Sequence, residues 1–311
     1  MKRVFACVTL IALVALFANS AFACSVCRCG ESMMLCRADT SDQNAHLFNG
    51  LPEKGNFRLQ FQTAVSSKTN ALDEEPGLEH QREYRPSARA SYGLSRNLSL
   101  SAELPFSYKR LTESSAEATS LTTSSGLGDA EIGIAWSMPI AQASNASWLV
   151  GLSATGKVPT GSNELQQDGV RAEEHLQPGT GSYDFQVGGA LSRLTSTMTL
   201  HASLYYRING KNDFEYAYGD ALLYNAGLQK KISGYLFGTM QLNGRHAQRD
   251  MEESLEVPNT GGTVLYVAPG FRLGLTPHVS LSANLQIPIY QKLYGVQSEK
   301  VVLNSGFSFE L

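Results

Sequence analysis

Leu98-Ser99-Leu100-Ser101-Ala102-Glu103-Leu104-Pro105-Phe106-Ser107-Tyr108 is the stretch on which the reading of the fold turns. Side chains alternate faces along a strand, so Leu98, Leu100, Ala102, Leu104, Phe106 and Tyr108 share one face and the polar residues and Pro105 share the other. Val279 to Ile289 repeats the pattern, with Val279, Leu281, Ala283, Leu285, Ile287 and Ile289 set against Ser280, Ser282, Asn284, Gln286 and Pro288. A period of two also describes a soluble sandwich. One strand therefore decides nothing, and the series decides.

Outward from that stretch, strands are predicted near 56–68, 83–95, 98–112, 127–139, 147–160, 181–194, 197–211, 221–232, 235–250, 263–275, 278–294 and 300–311. Two-residue turns at Arg96-Asn97, Thr195-Ser196, Ser233-Gly234 and Thr276-Pro277, with a longer one at Ile140 to Ala146, alternate with polar loops. Those loops are expected at 69–82, 113–126, 161–180, 212–220, 251–262 and 295–299. Short turns on one rim and long loops on the other, with an even strand number and both ends on the short-turn rim, describe a transmembrane barrel. The fold class is all-β: a closed antiparallel transmembrane β-barrel of about twelve strands. A Greek-key sandwich would not keep that alternation.

The beginning of the chain sets the compartment. Lys2 and Arg3 precede an apolar run from Val4 to Ala18, and Ala21-Phe22-Ala23 supplies a small-x-small cleavage site. The run is shorter than a spanning helix needs, and no later stretch is long and apolar enough to serve as one. Three regions follow: a cleaved signal peptide at 1–23, a Cys-rich periplasmic or plug segment at 24–55, and a barrel at 56–311. Mean hydropathy is −0.17, which excludes a helical membrane protein but suits strands with one face in lipid and one in water. Removing Lys2 and Arg3 leaves 23 basic and 28 acidic residues, a net charge of −5, with no basic tract for nucleic acid. The location read from this is the outer membrane of a Gram-negative-type bacterium.

The polar faces carry Arg58, Arg85, Arg89, Glu103, Glu131, Lys157, Asp184, His201, Arg207, Arg245 and Arg272, which are expected to line the lumen. Their mixed signs argue for paired networks, because an isolated ion in a dry interior is too costly. Eight strands fill with side chains and sixteen leave a wide channel, so twelve imply a narrow pore or a plugged conduit for a small solute. Tyr84, Tyr108, Trp136, Trp148, Tyr206, Tyr235 and Tyr290 fall near strand ends, where an aromatic girdle would lie. The closing Asn304-x-Gly306-x-x-Phe309-x-Leu311 resembles the C-terminal signal by which bacterial assembly machinery recognises outer-membrane barrels, with Leu311 in place of the usual aromatic.

Gly126-Leu127-Gly128-Asp129 opens one strand and Gly156-Lys157-Val158-Pro159-Thr160-Gly161 closes the next. Gln177-Pro178-Gly179-Thr180-Gly181-Ser182, Tyr206-Arg207-Ile208-Asn209-Gly210, Gly219-Asp220, Gly261-Gly262, Ala268-Pro269-Gly270 and Gln286-Ile287-Pro288 follow in order. With these motifs the chain resembles the outer-membrane transporters of the putative MetA-pathway of phenol degradation family over roughly residues 55–311. The resemblance implies a barrel, passage of small aromatic or otherwise hydrophobic compounds through outer-membrane lipid, and no catalytic residue. An outer-membrane hydrolase built on His201 or Ser203 is disfavoured, because no nucleophile motif surrounds them.

Cys24, Cys27, Cys29 and Cys36 lie within 13 residues; the fifth cysteine, Cys7, leaves with the signal. In an oxidising periplasm they form two disulfides, or they bind a soft metal ion, Cu or Zn. Lipidation at Cys24 is a further reading, on a poor match to a lipobox. Arg28 stands where c-type haem attachment needs His. Two functions follow: a channel for small solutes by passive or facilitated diffusion, or a metal-handling or redox-linked conduit that uses the cysteines.

Overall fold

The computed structural model describes residues 51–71, 77–115, 119–143, 145–167 and 169–311; Cys24, Cys27, Cys29, Cys36 and the signal region lie outside them. Twelve strands run up and down in chain order. They are β1 (Phe57–Ala71), β2 (Gly77–Ser95), β3 (Leu98–Ser115), β4 (Thr119–Leu127 continued by Ala130–Ala143), β5 (Ala146–Val158) and β6 (Asp184–Leu194). Then come β7 (Met198–Ile208), β8 (Ala221–Ser233), β9 (Leu236–Ala247), β10 (Gly262–Thr276), β11 (Val279–Leu293) and β12 (Gln297–Glu299 continued by Val302–Glu310). Each pairs antiparallel with its neighbours, and β1 pairs with both β2 and β12, so the sheet closes.

The seam is register-locked. Arg58 faces Glu310, Phe61 faces Phe307 and Val65 faces Leu303. Reciprocal backbone bonds join Phe57 and Leu311, placing the start of β1 and the end of β12 together on the short-turn rim. Arg58 Nη2 donates to Glu310 Oε2 at 3.4 Å across the same seam.

Alternation sorts the side chains as strand geometry requires. Leu104, Leu200, Leu285 and Phe307 are exposed on the outer wall, whereas Glu103, His201 and Gln286 are buried. Tyr84, Tyr108, Trp148, Tyr206, Tyr235 and Tyr290 are also exposed on the outer face. In a bilayer these apolar positions meet acyl chains, so their exposure in the isolated chain is the expected state of a spanning barrel.

Three expected loops are shorter than expected. Residues 69–71 and 77–82 belong to β1 and β2, residues 113–115 and 119–126 to β3 and β4, and residues 297–299 of the expected 295–299 loop to β12; the strands continue past the apolar band. Beyond the bilayer the outer face of a strand meets water and needs no apolar side chains, while the inner face here buries polar groups such as Gln81 and Ser124, so sequence without apolar alternation stays in register there. Conversely, the strand expected from 181 begins at Asp184. The interior is also less uniformly polar than its sequence implies. Tyr205, Ala221, Leu223, Val264, Tyr266 and Ala268 are buried on the inward faces of β7, β8 and β10.

Candidate functional site: the obstructed mouth of the barrel

Among the loops, residues 159–183 have the most to explain. The segment does not rise over the rim but turns into the barrel. Its departure point is fixed by three glycines from separate motifs. A Cβ on Gly161 would lie 2.8 Å from the Gly128 carbonyl carbon and from Gly179 Cα, and one on Gly179 would lie 2.6 Å from Gly161. Only glycine permits that backbone crossing. Asp129 then ties the crossing down. Its carboxylate accepts from the Gly161 N–H at 3.0 Å, the Thr180 N–H at 2.8 Å and the Thr180 hydroxyl at 2.9 Å. Lys157 bridges Asp129 and Asp184, and Asp184 accepts from Ser182 Oγ at 2.8 Å and the Gly210 N–H at 3.1 Å.

The inserted tip is a short 3-10 turn, Glu174–Leu176. Leu176 and Ala172 pack against Leu111 of β3. The carbonyls of the turn are taken up by the barrel wall. Gln81 Nε2 and Lys109 Nζ donate to His175 O at 3.2 and 2.8 Å; Lys109 also reaches Gln177 O at 2.6 Å, and Ser124 Oγ reaches Leu176 O at 2.6 Å. Gln177 closes the loop on itself through Leu165 and Ala172. A polar loop is thus buried because the carbonyls of its tip acquire donors.

Two other loops grip the tip from the opposite side. Asn212 donates to Glu174 Oε1 at 2.6 Å, and Tyr218 donates to Glu174 O at 3.1 Å. His175 Nε2 lies 3.4 Å from Asp250 Oδ2, which also accepts from Tyr216 at 2.8 Å. Burial alone would lower the His175 pKa, but the hydrogen bond and charge of Asp250 outweigh it and hold the imidazole above its ordinary 6.5. Burial would raise Asp250; the bond and charge of His175, with the Gly219 N–H and Tyr216, bring it below its ordinary 3.8. Burial and then the Asp250 charge push Tyr216 well up, so it remains a donor.

The sign follows from linkage. His175 contributes stability below its ordinary pKa that is lost as pH rises through the raised value. Asp250 contributes stability above its ordinary pKa that is lost as pH falls through the lowered value. The clamp is complete between those limits. Proteolytic nicking of 159–183 and current noise are expected to increase on the alkaline side of the His175 titration. His175→Gln should abolish that step, and an unchanged alkaline response in this variant would exclude the clamp as its origin.

Two cavities flank the tip. The first, open to solvent, is lined by Arg85, Lys109, Glu131, Lys157, Asp184 and Arg207 among others. The second is lined by Ala221, Leu223, Arg245, Asp250 and Glu299 among others. Arg207, Asn209 and Tyr218 line both. The Putative MetA-pathway of phenol degradation family matches residues 56–296. The chain belongs to that family. A crystal structure of the COG4313 outer membrane channel from Pseudomonas putida F1 is similar in fold, with a TM-score of 0.61 and 12% identity over 88% of this chain and all of that one. Fainter likeness reaches the transport unit of the autotransporter AIDA-I from Escherichia coli, at TM-score 0.47 and 10% identity over 82% and 90% of the two chains. It also reaches the CymD monoaromatic hydrocarbon channel, at TM-score 0.40 and 9% identity over 83% and 89%. No curated protein sequence matches the chain. This member of the phenol-degradation family is an outer-membrane barrel, in contact with outer-membrane lipid.

Of the residues singled out in the sequence, Arg85, Glu131, Lys157, Asp184 and Arg207 meet at the first cavity, and Arg207 and Arg245 at the second. Arg207 donates to Gln186 Oε1 at 2.8 and 3.1 Å, and Arg245 to Glu299 Oε1 at 2.5 Å. Arg89 Nε donates to Glu103 Oε2 at 2.7 Å. That pair lines neither cavity, and three further residues stand apart from the mouth. Arg58 is at the seam, Arg272 lies 3.4 Å from Ser280 Oγ, and His201 is buried with its ring over Gly227. Sequence reasoning missed Lys109, Glu174, His175, Gln177, Tyr216, Tyr218 and Asp250. The available signal was the length of segment 159–183, far beyond what a hairpin needs, and an apolar Leu176 inside it.

Proposed function

We propose that this protein is an outer-membrane channel that passes small, partly hydrophobic solutes, aromatic ones among them, by passive or facilitated diffusion. One observation carries the reading: the inserted 159–183 segment narrows the mouth to small cavities, and the second of these adjoins the inward apolar strip of Tyr205, Leu223, Val264 and Tyr266. A wide wet pore would serve any small polar solute. A narrow mouth over an apolar strip favours a compact molecule with a hydrophobic body and few polar groups. The matched family points the same way. The eleven ionic residues act in this reading as wall and scaffold, mostly by pairing. Assembly machinery would read the closing strand Val302–Glu310.

The test is uptake into proteoliposomes by the full mature chain. A phenol-sized aromatic is expected to enter faster than a sugar of similar volume, with saturation. Equal rates for the two would remove the selectivity and leave a general pore. The metal-handling reading depends on Cys24, Cys27, Cys29 and Cys36; among the described residues no cluster of potential metal ligands adds to it.

A further inference from the structure

The outer wall carries a second feature, independent of the lumen. Register places Ser67 opposite Arg82, Arg82 opposite Arg110, and Arg110 opposite Thr123. The Lys300 N–H donates to Ser67 O, so Lys300 joins the same row across the β12–β1 seam. Arg82 and Arg110 share the outward face of Tyr84 and Tyr108, which are themselves opposite one another two residues nearer the membrane. Arg82, Arg110 and Lys300 are all exposed. Like charges directly opposite on a sheet repel, yet β2 and β3 place two guanidinium groups there. Lys300 Nζ reaches Ser298 Oγ at 3.0 Å, and Arg82 Nε reaches His80 Nε2 at 3.3 Å. Among the described residues neither Arg110 nor Lys300 forms an ion pair.

The height of the row identifies what it meets. From Tyr84 to Leu94 the outward face of β2 is apolar or small, ten residue steps that rise roughly 25 Å at the usual strand tilt, the height of an outer-membrane barrel's apolar band. The cations sit one step above, on the long-loop rim, which faces outward in such barrels. That is headgroup depth of the outer leaflet. Guanidinium groups grip phosphate bidentately, and Thr123 places a hydroxyl beside Arg110, while the Ser67 and Thr69 hydroxyls are taken by the His80 ring.

We infer that Arg82, Arg110 and Lys300 form a binding site on the outer wall for the phosphorylated headgroup of an outer-leaflet lipid. The bound phosphate relieves the Arg82–Arg110 repulsion and fixes the β12–β1–β2–β3 sector in the membrane. It does so whether or not the solute reading above is correct.

The experiment is native mass spectrometry of the full mature chain in detergent, with bis-phosphorylated lipid A as probe. Wild type should retain lipid A, and R82Q/R110Q/K300Q should lose affinity by about tenfold or more. Arg110→Lys keeps the charge and should lose less. Lipid A stripped of its phosphates should bind wild type no better than the triple variant binds the intact lipid. Heat-modifiable migration of each variant verifies that the barrel has formed. Equal retention by wild type and the triple variant overturns the site, as does equal binding of the dephosphorylated lipid. Displacement of lipid A by millimolar inorganic phosphate would mean that the row is a free-anion site, and would overturn the lipid assignment.

Discussion

Leu285→Arg is expected to prevent most of the protein from reaching the folded, membrane-inserted state. Leu285 sits on the outer face of β11, paired with Leu303 of β12 midway along the strand. An arginine there meets acyl chains, with a penalty of about 2–4 kcal/mol at the bilayer midplane. Asn304→Arg is the matched control. Asn304 lies on the opposite face, where its amide donates to Asn284 Oδ1 at 3.0 Å; an arginine there points into the lumen and should leave spontaneous insertion into vesicles, where no assembly machinery reads the closing strand, intact. Denaturant titration of both variants refolded into lipid vesicles, read by heat-modifiable mobility, gives the difference. Equal destabilisation would contradict the facing of β11 and β12.

The second large effect concerns the mouth. Excising residues 164–177 should raise single-channel conductance several-fold and weaken discrimination between aromatic and sugar. The deletion is geometrically mild, because the Gly179 N–H donates to Ser162 O at 2.9 Å and the cut ends already lie together. The crossing of Gly161 over Gly179 and the Asp129 bonds remain, so the barrel retains its anchor. What disappears is the Glu174–Leu176 turn with its ties to Gln81, Lys109, Ser124 and Tyr218. Unchanged conductance would mean that the inserted segment is not the narrowing that governs passage.

The barrel was legible because its cause is local. Period-two alternation and tight turns such as Arg96-Asn97 are written in neighbouring residues, and closure follows from their number and order. The inserted segment was not legible because its causes are distant. Lys109 lies 66 residues from His175 in sequence, and Tyr216 lies 34 from Asp250. A run such as Glu173-Glu174-His175 reads as a solvated loop until donors from three other elements surround it. The misjudged ends of β1–β2 and β3–β4 have the complementary reason, since above the bilayer the outer face meets water and the inner face buries polar groups such as Gln81 and Ser124, and the apolar alternation that reveals a strand is lost. The ionic residues were named as a set from alternation alone, and their division among seam, cavities and wall depends on register that no single strand displays.

The seam between β1 and β12 also governs the order of events during folding. The partner of Arg58 lies 252 positions further along the chain, so the most sequence-distant pairing in the barrel is also the one that closes it. Contacts this remote are the slowest to form, because most of the chain entropy must be surrendered first. Until β12 arrives, β1 offers a row of unsatisfied amides to whatever strand is near, and in the periplasm that is a template for aggregation. The finished molecule has no free edge of this kind at the seam, but its precursor carries one for nearly the whole of its assembly.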